Sequence, residues 1–293
     1  MSKDLVTIQL DCDIAYNVDS IAKKEIKTEA LIHFYQDLDL HVFVKKMEIP
    51  VTKKEVKWDH IELKSVSELE GILEKNLSMH FEFSDYNYHK AELWGIGLSD
   101  GKNNYVVSAD IALSSIGFDM YLKDERYQKY VYDLKAIKVF LLWNKLDIKG
   151  TTFDLLLAAY LINSHLGKEE FKRIVSNFYY EDIQYDDTIY GKGSKKGLPE
   201  KQVYYHHIAS KSKAIYALKD ELLKTLKEDE QLDLLKGIEL PLSEVLAEME
   251  YEGLRVDKDE LSKQKKDLNT RIIQTEKQII RTNFLQMINY FVW

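Results

Sequence analysis

The stretch MHFEFSDYNYHKAELWGIGLSDG, from Met79 to Gly101, carries one acid, Glu82, in an alternating run between Phe81 and Phe83. Alternation of this kind predicts a strand, here the first arm of a hairpin. Hydrolysis by a metal-bound water needs more than one such acid. Two divalent ions held on clustered carboxylates activate the water and stabilise the leaving oxygen, and magnesium or manganese takes oxygen ligands. Glu82 stands alone in its strand, with Asp85 three residues on and further acids spread along the chain. A metal-dependent nuclease requires that the fold return those acids to Glu82.

Other reactive residue types are weaker signals. His80, His89, His206 and His207 offer nitrogen ligands beside Glu82, but without compact zinc-ligand spacing. His206 and His207 are neighbours on one expected helix and therefore point apart, so surface or half-buried histidines are expected. GKGSKKG, Gly191 to Gly197, has the glycines and lysines of a phosphate loop. It lacks the preceding strand and the helix directly after Gly-Lys-Ser, and is expected to be a mobile basic loop. YDDT, Tyr185 to Thr188, lies in a polar connection with no second metal-binding strand downstream, and is expected to be non-catalytic. Asp11 and Asp13 read as solvent-facing acids at a strand end. Lys263, Lys265, Lys266 and Arg271 cluster in one basic segment, where contact with phosphates would be salt-dependent and blind to sequence. The alternative for that segment is a solvated helix face.

The elements that must position these residues follow from pattern. LVTIQLDCDI suits an extended segment, and Ile21, Ile26, Leu31, Phe34 and Leu38 have near-helical spacing with a break at Asp37 and Asp39. EIPVTKKEVKWDH reads as a linker. LWGIGLS and NYVVSA flank Asp100-Gly101, a hairpin-turn signal. A short strand and a helix over Leu134–Trp143 come next. GTTFDLLLAAYLIN predicts a buried helix capped by Thr151, with Asp154 in the place of the usual Glu. The polar stretch from Asn177 to Pro199 precedes a long helix from about Gln202 to Lys227. Pro241 and Gly253 bracket a further helix, and Asp257 with Glu260 caps the last one, along which Leu261, Leu268, Ile272 and Ile279 form a narrow apolar seam.

The bulk numbers suit a folded globular chain. It has 293 residues, 45% hydrophobic and 31% charged, with only 3 prolines and 12 glycines. There is no 18-residue apolar run to span a membrane and no basic-then-apolar leader, so no membrane partner is expected. One cysteine, Cys12, cannot form an internal disulfide, and the cytoplasm is the expected setting. A net charge of −8 does not favour whole-surface nucleic-acid binding but leaves room for a local basic face.

FDLLLAAYL, YGKGSKKGLP and PLSEVLAEMEYEGLRVDKDEL together resemble bacterial DNA polymerase I of the low-GC Gram-positive type, over about Leu5 to Ile280. The resemblance implies three parts. Residues 1–48 would be the C-terminal end of a 5′-nuclease domain. Residues 49–228 would be a 3′–5′ exonuclease domain of α/β, ribonuclease-H-like fold. Residues 229–293 would be the start of a polymerase domain, its thumb helices, giving helical segments at both ends. It also implies which positions would carry the exonuclease carboxylates. The Asp-x-Glu motif falls on His80-Phe81-Glu82, the second Asp on Ile137, and Tyr-x-x-x-Asp on His207 and Lys211. Only Glu82 is an acid, and Lys211 would repel a metal ion, so proofreading is expected to be lost and the domain to serve as scaffold. The competing reading is a working exonuclease with Glu82, Asp85 and Asp133 as relocated ligands. The basic helix would be the thumb's contact with duplex DNA, through Lys263, Lys265, Lys266 and Arg271. No cofactor is expected for this chain, whereas Mg²⁺ is expected for the parent polymerase. The terminal TNFLQMINYFVW departs from the family pattern and reads as a truncation or frameshift, with the fingers and palm possibly on a separate chain.

Overall fold

Two glycines in one strand decide how closely a long helix can approach the sheet. The sheet has six strands: β1 (Ile61–Leu63), β2 (Leu77–Phe83), β3 (Leu93–Ser99), β4 (Asn104–Val107), β5 (Lys129–Val131) and β6 (Thr151–Asp154). Their order is β1-β4-β3-β2-β5-β6. β2, β3 and β4 are antiparallel neighbours, while β1, β5 and β6 join in parallel. The expected turn lies between β3 and β4. There Asp100 Oδ1 accepts the N–H groups of Lys102 and Asn103, and Gly101 takes φ +85°.

The helices are α1 (Val66–Glu70), α2 (Ala109–Ser114), α3 (Ile116–Lys123), α4 (Leu134–Trp143), α5 (Leu155–Ile162), α6 (Phe171–Ser176), α7 (Asp186–Tyr190), α8 (Lys201–Glu228), α9 (Leu240–Glu252) and α10 (Lys258–Phe291). One core gathers Leu77, Met79 and Phe81 of β2 with Ile137 and Leu141 of α4 and Ile215, Leu218 and Leu222 of α8. α8 crosses β3 at its glycines. A Cβ on Gly97 would lie 2.5 Å from the Ile208 carbonyl oxygen, and one on Gly95 3.4 Å from Ile208 Cδ1. Any side chain at residue 97 would push α8 off the sheet. Ser78 Oγ donates to the Ser212 carbonyl at 2.7 Å and fixes the helix against β2.

The computed structural model describes residues 59–193 and 196–291, together with Thr7, Ile8, Lys27, Leu31, Phe34 and Tyr35, with side chains as far as residue 281. Contacts divide the chain into two units, Met1–Lys57 and Trp58–Trp293. In the first, Leu31, Phe34 and Tyr35 are helical. The expected N-terminal strand, Asp11 and Asp13, the break at Asp37 and Asp39, and nearly all of the expected linker lie outside the described residues.

Three sequence readings need correction. Thr151 is not a helix cap: Thr151–Asp154 pairs as β6, and Asp154 itself caps α5 by accepting the N–H groups of Leu156 and Leu157. The polar stretch 177–199 contains a short helix, α7. α9 does not begin at Pro241, because a helical turn at Leu232–Leu234 and a π turn at Leu235–Glu239 run straight into it. Gly253, at φ +67°, ends α9 as expected, and Asp257 Oδ1 caps α10 through Asp259 and Glu260.

α9 is docked on α4 by ion pairs, one of them built on a buried lysine. The Lys138 side chain is 3% exposed, and its ammonium lies 3.3 Å from Asp147 and 3.2 Å from both Glu244 and Glu248. Glu250 accepts from Lys135 at 2.7 Å and from the Tyr88 hydroxyl at 2.6 Å. By contrast, the described side chains of α10 are all exposed, including the seam residues Leu261, Leu268, Ile272 and Ile279. No helix among the described residues is long and apolar enough to cross a membrane.

Candidate functional site

Period-two alternation in β2 sends Ser78, His80 and Glu82 to the face that α8 covers, and Met79 and Phe81 to the other. Opposite His80 and Glu82 in the neighbouring strand stand Gly97 and Gly95, which leave room for helix side chains to come down. On α8, His207 and Lys211 are four residues apart and share a face. Each element therefore delivers two polar residues to one buried place.

There they form a chain of charge. The Lys211 ammonium lies 3.0 and 2.8 Å from the two carboxylate oxygens of Glu82 and 2.8 Å from Asp186 Oδ1. His80 Nε2 is 3.0 Å from Glu82 Oε2, and His207 Nε2 is 2.7 Å from Asp186 Oδ1. Phe171 lies under the ammonium, 5.8 Å from Nζ to ring centroid, and Tyr190 meets the His207 ring edge-on. His80, Glu82, His207 and Lys211 are all buried.

Burial would push the Glu82 carboxyl up, but the Lys211 ammonium and the His80 hydrogen bond outweigh it and hold Glu82 below the usual carboxylate range. The same contest ends the same way at Asp186, through Lys211 and His207. Burial opposes the charge on Lys211, and the two carboxylates overcome it and raise the pKa. Burial dominates at His80 and lowers it, which keeps the ring neutral near pH 7. Lys211 is thus a fixed cation between two fixed anions. It is no general base.

Asp186 is the residue that sequence reasoning missed. It belongs to YDDT, which has no strand context and forms only a five-residue helix. Its one legible signal was acid character at a helix start. Ile137 also needs correction. It is 1% exposed within the core, whereas the residues that α4 and its cap present to the cleft are Ala136 and Asp133. Asp133, at φ 60°, caps α4 by accepting from Ala136, and its own N–H and that of Leu134 bond to Asp154.

Above the cluster opens a cleft of about 440 Å³. His80, Glu82, Asp85, Asp133, Asp186 and Lys211 all line it. The proposed replacement ligands Asp85 and Asp133 are therefore in the cleft, yet each is engaged locally: Asp85 Oδ1 accepts from the Asn87 N–H, and Asp133 is the α4 cap. His89 lies elsewhere, 3.3 Å from Glu250, and the His206 ring neighbours His60. Among the described residues, no three His, Cys, Asp or Glu side chains converge as a metal site. The residues present do not fit a pair of divalent ions. Glu82 and Asp186 are already bridged by an ammonium, and an ion entering there would meet like charge.

The basic residues Lys263, Lys265, Lys266 and Arg271 are exposed on α10, along with its apolar seam.

Residues 79–218 match the family described as DNA polymerase I, ribonuclease H-like domain. Over 280 residues the chain is 31% identical to DNA polymerase I of Bacillus caldotenax, covering 95% of this chain and 32% of that protein. It is 28% identical to DNA polymerase I of Bacillus subtilis over 282 residues, with the same coverage. The chain thus spans about a third of the length of these relatives. Among solved structures, it resembles the POL domain of Pol1 from M. smegmatis in complex with DNA primer-template and dNTP. The TM-score is 0.56 at 17% identity, over 73% of this chain and 35% of that one. It also resembles Escherichia coli RNase D, an exoribonuclease, with TM-score 0.53 at 15% identity over 65% of this chain and 51% of that one. At these identities the structural likeness speaks for the fold alone.

Proposed function

We propose that this chain, whose residues 79–218 match the ribonuclease H-like domain family of DNA polymerase I, forms the exonuclease-like part of such a polymerase and acts there as a scaffold that does not hydrolyse DNA. The observation that carries this reading is the Lys211 ammonium held between Glu82 and Asp186. Two-metal hydrolysis needs those oxygens free and a third and fourth beside them. Here their charge is met from within the protein, and no group in the cluster is poised to generate hydroxide.

We further propose the division of labour that the resemblance implies. Residues 1–48 correspond to the end of a 5′-nuclease domain, 49–228 to the degenerate exonuclease domain, and 229–293 to the first thumb helices. The clamp of Lys138 and Glu250 then joins the scaffold to the helix that leads into the thumb. Template-directed synthesis is the parent activity, with Mg²⁺ held on palm carboxylates. DNA is the partner, met through Lys263, Lys265, Lys266 and Arg271 on α10. The proposed setting is the cytoplasm.

The deciding assay incubates the purified chain with a 3′-labelled single strand in Mg²⁺ and then Mn²⁺. The expected outcome is an intact label. Shortening that disappears in Glu82→Ala would establish a working exonuclease instead.

A further inference from the structure

The apolar seam of α10 serves neither the scaffold nor the DNA contact, and we propose that it pairs with the same seam of a second copy of this chain as a parallel, two-stranded coiled coil. Leu261, Leu268, Ile272 and Ile279 are each a little over half exposed, on a helix of 34 residues whose described side chains are all exposed. The inference does not rest on the reading of the exonuclease-like cluster.

The heptad follows from those four positions. With Ile272 at an a position, Lys265, Ile272 and Ile279 occupy a, and Leu261, Leu268 and Thr275 occupy d. Each aliphatic layer therefore has isoleucine at a or leucine at d, the combination that favours two parallel strands over three or four. Lys265 is the one charged layer. A single lysine at a costs stability but fixes the register, because a shifted partner would set it against an apolar layer. The surface already carries the matching socket. A hollow of about 320 Å³ is lined by Leu268, Arg271, Ile272, Thr275 and Glu276. The first four are the d, g, a and d corners of one coiled-coil hole, and the knob that enters it is the second copy's Ile272.

Charge decides the orientation. In a parallel pair, Arg271 at g lies across from Glu276 at e of the other copy, and two-fold symmetry makes that contact twice. Gln264 and Asn269 meet in the same way without charge. An antiparallel pair that keeps the layers matched instead sets Arg271 against the other copy's Arg271, and Lys265 against Thr275. Lys263 and Lys266, at f and b, stay outside the pair. Lys265 and Arg271 are free in the monomer, so DNA contact by α10 belongs to concentrations at which the monomer prevails.

The test is sedimentation equilibrium of the whole chain across the micromolar range, where a monomer–dimer equilibrium is expected. Ile272→Glu should weaken it by more than about tenfold, since it places two like charges in one layer. Ile273→Glu, one residue along at a b position, should leave it unchanged. Both side chains are exposed in the single chain, so neither change should unfold it, which far-UV circular dichroism checks. Arg271→Glu and Glu276→Arg should each weaken the dimer, and the two together should restore it, as only the parallel register requires. A chain that stays monomeric at every concentration would give the seam to another segment or a different protein, and the proposal fails. It fails equally if the chain assembles as a trimer or beyond, if association survives Ile272→Glu, or if the double charge swap restores nothing.

Discussion

The Lys211 ammonium reaches both carboxylate oxygens of Glu82, at 3.0 and 2.8 Å, from a position 129 residues along the chain, and the two side chains are 3% and 5% exposed. A buried pair of this kind persists only when its remaining bonding capacity is met, because desolvation of each ion costs several kcal/mol. Asp186 accepts a further bond from the ammonium, and His80 donates to the carboxylate. The pair is therefore a structural junction between strand β2 and helix α8.

Removing the ammonium should expose what it holds. Lys211→Met leaves the buried Glu82 without a counter-ion, while Asp186 is half-exposed and keeps its His207 contact, and a loss of about 3–5 kcal/mol in unfolding free energy is expected. Adding Glu82→Gln to Lys211→Met should recover part of it, since one stranded charge disappears. Urea denaturation of the single and double variants measures both. A Lys211→Met chain as stable as the parent would mean that the junction bears no weight.

The dependence on pH follows with its sign. Glu82 and Asp186 have folded pKa values below the ordinary carboxylate range, so in acid the unfolded chain binds more protons. Their contribution is fully present above about pH 4, the unfolded value, and is lost as pH falls through the folded values. In Lys211→Met only the histidine hydrogen bonds still oppose burial, the Glu82 pKa rises, and stability should instead fall as pH increases above about pH 4. Melting temperatures recorded from mildly acid to neutral pH should thus slope in opposite directions for the two proteins.

Legibility of this site in the sequence varied with the range of the signal. The strand with Glu82 and the long helix with His207 and Lys211 were visible because seven residues of alternation and 28 residues of helix carry periodic patterns. Asp186 was not, since a helix of five residues has too few turns for a period to show, and its partners lie 21 and 25 residues away. Ile137 was assigned from the resemblance alone, yet a helix face is set by its start. Asp133 in left-handed backbone begins α4 so that Ala136 meets the cleft and Ile137 the core. Thr151 looked like a cap because Thr and Asp serve both strand ends and helix starts, and only pairing with Lys129 settles which.

Asp154 holds the back of the site through four backbone donors. Its Oδ1 accepts from Asp133, Leu156 and Leu157, and its Oδ2 from Leu134 at 2.6 Å. Asp154→Ala should cost about 2–3 kcal/mol, from a lost cap and a stranded buried donor. Asp154→Asn should recover little, because its amide nitrogen would face the Leu134 N–H. Chemical denaturation compares the three. An Asn variant as stable as the parent would show that Oδ2 is dispensable.

α10 gives the proposed DNA contact a measurable form. Four exposed cations, Lys263, Lys265, Lys266 and Arg271, lie on a helix whose described side chains touch little else. If all four meet phosphates, the logarithm of duplex affinity should fall with the logarithm of salt at a slope of about −3 to −4. Changing the four to Gln should flatten that slope and weaken every duplex sequence alike, since phosphate contacts carry no base information. The α9 clamp and the cleft are untouched by these changes, so the unfolding midpoint should hold. Filter binding across a salt series reads the slope directly, and a flat response in the unmodified chain would leave α10 as a solvated face.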